Sequence, residues 1–241
     1  MLETLAYLLG GYIAVMHLAG PLVVWRKNRF PCSCELPPLA WPDTLEAGGQ
    51  RFREGHEEMV SLGFVPVTAS NFVLSHSSTS FIIYRSDEDL VVATLMSSRN
   101  GASEHVTVDF TQRYTGGHHL SLTNAKLPDI YPRWEMKLLY RLPRCADIPE
   151  LFLRFQRLRR RIALGEHASV PPGKELEIVK AFLNAEWQHL CNTGFLQREC
   201  VAGTRRFTLR GAYSASWKLL APWRWLLGVR DQAKAKRLSD S

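Results

Sequence analysis

The sequence predicts an α+β protein made of an N-terminal transmembrane helix, an antiparallel β-meander packed with helices, and a C-terminal lobe of helix and β-hairpin. Three observations predict it. Leu5 to Trp25 contains no Asp, Glu, Lys or Arg, the apolar spacing between Phe64 and Thr123 alternates in short runs, and from Ile148 onward it returns to helical intervals. The expected divisions are 1–29 for an anchor with a basic flank, 30–43 for a proline-rich stalk and 44–145 for a helix-plus-sheet domain. Residues 146–211 form a helical segment with a hairpin, and 212–241 a tryptophan-rich interfacial helix with a basic tail.

The uncharged stretch would extend roughly 31 Å as a helix at about 1.5 Å per residue, close to a hydrocarbon core of about 30 Å. Gly10, Gly11, Gly20 and Pro21 are tolerated in membrane helices, and His17 reads as a packed neutral imidazole. A cleaved signal is disfavoured by Glu3 near the start, by the length of the run and by Pro21 and Trp25 at its end. Arg26, Lys27 and Arg29 follow at once, so the positive-inside rule predicts an N-out, C-in single-pass protein with the bulk of the chain cytoplasmic. The five cysteines are an odd number, which argues against a disulfide framework and for reduced thiols. Cys32-Ser33-Cys34 would supply only half of a structural zinc site.

Four prolines between Pro31 and Pro42 make that segment extended and stiff. Asp43 or Thr44 then caps a helix that runs to Leu62 and stops at Gly63. His56 on that helix precedes Glu57 and Glu58, but Val60 stands where a zinc-protease helix needs its second histidine. The strands expected next are Phe64–Val67, Asn71–Ser75, Thr79–Tyr84, Leu90–Met96, His105–Phe110 and His119–Thr123. Short polar turns such as Ser98-Arg99-Asn100-Gly101 suit hairpins rather than crossovers.

Helices are expected over Ile148–Ala163 and Lys174–Cys191, each with an apolar stripe at helical spacing. The outer face of the first carries Arg154, Arg157, Arg159, Arg160 and Arg161, which are candidate anion-binding residues. Phe195–Cys200 and Arg205–Leu209, joined by the turn Val201-Ala202-Gly203-Thr204, form a hairpin; with the helix before it, this stretch of about 40 residues resembles the wing of winged-helix domains. That resemblance implies a tethered nucleic-acid-binding regulator, yet no helix has the short, outwardly polar character of a recognition helix, so nucleic acid is not the expected partner. Ala212–Val229 is apolar apart from Lys218, Pro222 and Arg224. With Trp217, Trp223 and Trp225 it reads first as a helix lying in a headgroup layer, the alternatives being a segment packed on the domain and a second span. Arg230, Lys234, Lys236 and Arg237 would add attraction to anionic lipid.

The chemistry-bearing residues are sparse. His105, His119 and Asp109 are the weak catalytic candidates, because pairing of His105–Phe110 with His119–Thr123 brings their strands together. Adjacent His118 and His119 point to opposite faces of a strand, so at most one can join His105. Ser75-His76-Ser77-Ser78 lacks the glycines of a nucleophile elbow, and no glycine-rich phosphate loop occurs. The formal net charge of +7 suits anionic lipid as well as nucleic acid. The expectation is a non-enzymatic interaction or scaffold module held at the cytoplasmic membrane surface, with anionic headgroups and an unidentified protein as partners and with no metal or cofactor. The second expectation is a membrane-proximal enzyme built on His105, His119 and Asp109.

Overall fold

The computed structural model describes residues 2–74, 77–88, 90–100 and 103–239. Ser75 and His76, Asp89 and Gly101, on which parts of the expected strand ends and turns fall, lie outside the described residues. The chain is α+β. Its main sheet has the order β2(Val65–Leu74), β3(Ser77–Ser86), β4(Val91–Asn100), β5(Ser103–Arg113), β6(His119–Thr123), β7(Lys137–Arg141).

Neighbours from β2 to β6 are antiparallel, as hairpin turns allow, but β6 and β7 run parallel and the sheet is mixed. This corrects the purely antiparallel meander. A parallel neighbour needs a long connection, and the proline- and aromatic-rich segment between Thr123 and Lys137 supplies it. The two short runs expected before and after Thr68 are one strand, β2, whose register slips between Pro66 and Thr68.

One face of the sheet has an apolar centre, with the buried polar residues Ser86, Ser97 and Gln112 towards its ends. Ile82, Tyr84, Leu95, Val108, Phe110 and Leu122 are buried there. The helices α3(Gln50–Ser61) and α4(Ile148–Arg161) and part of α7(Trp223–Ser239) cover it. The predicted single helix before the sheet is two, α2(Trp41–Glu46) and α3, separated at Gly48-Gly49. Phe52 and Met59 are the buried side chains of α3. Gly55 lies so close to Leu95 and Ile148 that a Cβ there would be within 3.0 Å of the leucine. On the same helix His56 Nδ1 is 2.9 Å from the Tyr84 hydroxyl, so it is tied to the core rather than left on a free helix face. Asp147 caps α4 by accepting from Glu150 N–H, and Leu151, Phe155 and Leu158 form its inward stripe.

The opposite face carries the second core, formed with α5(Glu175–Asn192), α6(Leu209–Leu219) and the chain around Phe30. Here β1(Arg29–Pro31) pairs with β8(Thr204–Arg206). The proline-rich segment continues over the body: Cys34 N–H donates to Asn184 Oδ1, Leu36 is buried, and Leu39 bridges Ala69 at the edge of β2. A disulfide joins Cys32 to Cys200, whose Cα atoms are 6.0 Å apart, so these two cysteines are not the reduced thiols expected. Cys34, Cys145 and Cys191 are free.

The helix α1(Leu2–Lys27) corrects the anchor. Among the described residues no helix is long and apolar enough to cross a membrane, and the transmembrane, single-pass N-out/C-in reading falls with it. Tyr7, Tyr12, His17, the glycines and Pro21 dilute its apolar character, and its last turns join the folded body: Pro21 is buried, and Val24 and Trp25 pack on the second core.

Candidate functional site

Side chains alternate across a strand, so the sheet face opposite the regular core is set by the sequence as well. On β5 that face carries His105, Thr107, Asp109, Thr111 and Arg113; Thr94 and Met96 of β4, His119 and Ser121 of β6, and Lys137 of β7 stand beside them in register. Such a row of hydroxyls and charges would ordinarily face water. Here α5 lies over it, presenting Val179, Phe182, Leu183 and Trp187, and a partly open cavity of about 480 Å³ lies between sheet and helix. That volume is within the range of small-molecule sites, about 300–1,000 Å³.

Asp109 sits mid-strand between Thr94 and Thr123. Its Oδ1 is buried with no hydrogen-bond partner. Burial pushes its carboxyl up to about 7, against the pull of the Lys137 charge and the Thr111 hydroxyl. Near neutral pH it is therefore half protonated, able to donate or to accept.

Arg113, His119 and Lys137 form a cross-strand row at one end of the cavity. His119 stacks on Phe182 with ring centroids 3.9 Å apart. Burial first, then the charges of Arg113 and Lys137, lower its pKa to about 4, so the imidazole is neutral at pH 7. Lys137 Nζ is 2.6 Å from Glu186 Oε1 on α5; burial opposes its charge, but Glu186 and Asp129 outweigh that and raise its pKa. Arg113 has no acidic partner among the described residues. Its Nε is buried without a hydrogen bond, and burial lowers its pKa.

The three candidates from the sequence share one face but do not converge. His119 is opposite Arg113, four residues along β5 from Asp109, a separation of about 13 Å at about 3.3 Å per residue. His105 lies the same distance the other way, exposed and outside the cavity lining. Asp109 and His119 both line the cavity. Lys137 and Glu186 were beyond sequence reasoning, because β7 and α5 reach the site only through long-range packing. Among the described residues no group of three or more His, Cys, Asp or Glu is placed to hold a metal ion.

The other candidates are dispersed. Arg154 pairs with Glu150, Arg159 reaches Gln112 and Arg161 the Arg237 carbonyl, while Arg157 and Arg160 are exposed. Of the proposed surface residues, Lys218 donates to the carbonyls of Ile130 and Tyr131, Trp217 packs on Trp223, and Lys234 lies over the Tyr140 ring. Asp231, beside Arg230, pairs with Arg141, so this region is docked on the domain. Arg26, Lys27, Arg224, Trp225 and Lys236 are exposed, and Arg29 is half-buried in β1. The hairpin strand β8 is taken up in pairing with β1, and Arg205 reaches Cys191 Sγ, so the hairpin does not project as a free wing. The chain matches no protein-family model, no curated protein and no solved structure.

Proposed function

We propose that the protein is a non-enzymatic module that binds a small amphipathic molecule in the cavity between the sheet and α5. The observation that carries this reading is the contrast between the two sheet faces. The first packs Ile82, Leu95, Val108, Phe110 and Leu122 against helices at its centre; the second keeps Asp109 Oδ1 and Arg113 Nε, two ionisable groups, buried and unpartnered beside the cavity under α5. A buried polar group without a partner costs about 1–3 kcal/mol, and a sequence selected for stability alone would fill the space with apolar side chains. Polar groups retained in a cavity are typical of binding sites, where a ligand satisfies them.

The test is binding of 1-anilinonaphthalene-8-sulfonate to the full chain and to a Thr94→Trp variant. Thr94 faces the cavity beside Asp109, so the indole fills the space. Saturable binding to the parent protein that Thr94→Trp abolishes is expected; equal binding by both refutes the cavity as the site. One observation favours a second reading: a carboxyl titrating near 7 inside a cavity is suited to general acid–base work, which makes Asp109 the proton-transfer group of an enzyme. Asp109→Asn would then abolish turnover while leaving ligand binding intact.

A further inference from the structure

Resting on the cavity reading, we infer that the ligand is an amphipathic carboxylate whose anionic head is held by Arg113 beside His119 and whose apolar body lies along Phe81, Met96 and Trp187. The two ends of the cavity differ in chemistry. At one end the cross-strand row Arg113–His119–Lys137 gathers nitrogen-bearing side chains on neighbouring strands about 4.8 Å apart. Within it the charges do not balance. Lys137 is already neutralised by Glu186 at 2.6 Å, whereas the Arg113 guanidinium has no acidic partner among the described residues and holds a buried, unpaired Nε–H.

A planar guanidinium with a free N–H edge is suited to a carboxylate, which accepts two parallel hydrogen bonds. The neutral imidazole of His119, fixed against Phe182, adds a polar group next to it without adding a charge. Away from this row the lining becomes apolar: Phe72 and Phe81 come from the first two strands of the sheet, Met96 from β4, and Leu183 and Trp187 from α5. Val92 of β4, opposite Thr111, stands two residues along β5 from Arg113, so the apolar lining begins about 7 Å along the strand from that residue and runs on to Met96, opposite Thr107. Asp109 and its threonine neighbours stand between the two ends and can hydrogen-bond a hydroxyl on the ligand body.

The probes are octanoate and 1-octanol, titrated calorimetrically into the full chain, into Arg113→Gln and into Thr94→Trp. Octanoate is expected to bind the parent protein at least about tenfold more tightly than 1-octanol, the ratio that one charge-assisted hydrogen bond supplies. Arg113→Gln should erase that preference and leave 1-octanol unchanged, and Thr94→Trp should block both. Equal affinity for the two probes, insensitive to Arg113→Gln but lost in Thr94→Trp, overturns the carboxylate inference and leaves the cavity reading standing. Affinities unmoved by Thr94→Trp overturn both. Failure of octanoate to bind the parent protein overturns the inference. Arg113→Lys, which keeps the charge but not the fork, should retain an intermediate preference, and its circular dichroism should match that of the parent, so loss of fold cannot mimic loss of the site.

Discussion

Replacing Asp109 by Asn asks whether the cavity floor holds a carboxyl that resists ionisation. The side chains have nearly the same shape, so the perturbation is the charge. In the folded protein the carboxyl titrates at about 7 against an ordinary 3.8. Between those values the native state binds a proton that the unfolded chain has released, so this group makes stability fall as pH rises from about 4 to about 7 and stay low above that. At about 1.4 kcal/mol per pH unit, the burden is about 4 kcal/mol at pH 8 and about 2 kcal/mol at pH 5. His119 acts in the opposite sense. Its folded pKa of about 4 lies below the ordinary 6.5, so its contribution rises with pH across that window and offsets Asp109 in the parent protein. Comparing parent and variant at each pH cancels the histidine term and leaves the carboxylate. In urea unfolding, Asp109→Asn should gain on the parent by about 2 kcal/mol more at pH 8 than at pH 5. A difference that does not change with pH, or that favours the parent at pH 8, would refute a buried carboxyl facing Lys137 and Thr111.

Other perturbations probe the walls of the site and the frame. Lys137→Met leaves Glu186 buried without its cation and should cost about 3–5 kcal/mol in urea unfolding, whereas Lys137→Met combined with Glu186→Leu should recover most of that loss. Gly211→Ala drives a Cβ into the Phe195 carbonyl and should lower stability by about 2 kcal/mol or more, while Gly228→Ala, in a helix with open space around it, should raise it by about 0.5–1 kcal/mol; thermal melts of the two decide. Iodoacetamide added to the denatured, unreduced chain should label the three free cysteines, with Cys32 and Cys200 reacting only after reduction. Reduction should also lower stability by up to about 5 kcal/mol, because the link closes a loop of 168 residues.

What could be read from the sequence was local. The α4 helix was legible because Asp147 caps it and Ile148, Leu151, Phe155 and Leu158 recur at helical spacing. The strands from β3 to β6 were legible because apolar and polar residues alternate along them. The same alternation hid the site: Thr107, Asp109, Thr111 and Arg113 look like a solvent-facing row, and nothing nearby in sequence says that α5 lies over them. Lys137–Arg141 carries no strand signal of its own, because a short strand added in parallel after a proline-rich connection has no hairpin turn. Cys32 and Cys200 are 168 residues apart, a spacing that carries no information about pairing. Leu5–Trp25 resembles a membrane span because it lacks charge, whereas the burial of Pro21 and the packing of Val24 and Trp25 on the second core depend on residues far along the chain.

The central claim is that the sheet face beneath α5 is a ligand site, and amide NMR of the full chain titrated with octanoate tests it most directly. Shifts confined to the strands around Thr94, Thr107, Asp109 and Ser121 and to α5 from Val179 to Trp187 are the predicted result. Shifts confined to other surfaces, with these amides unmoved at saturation, would contradict it.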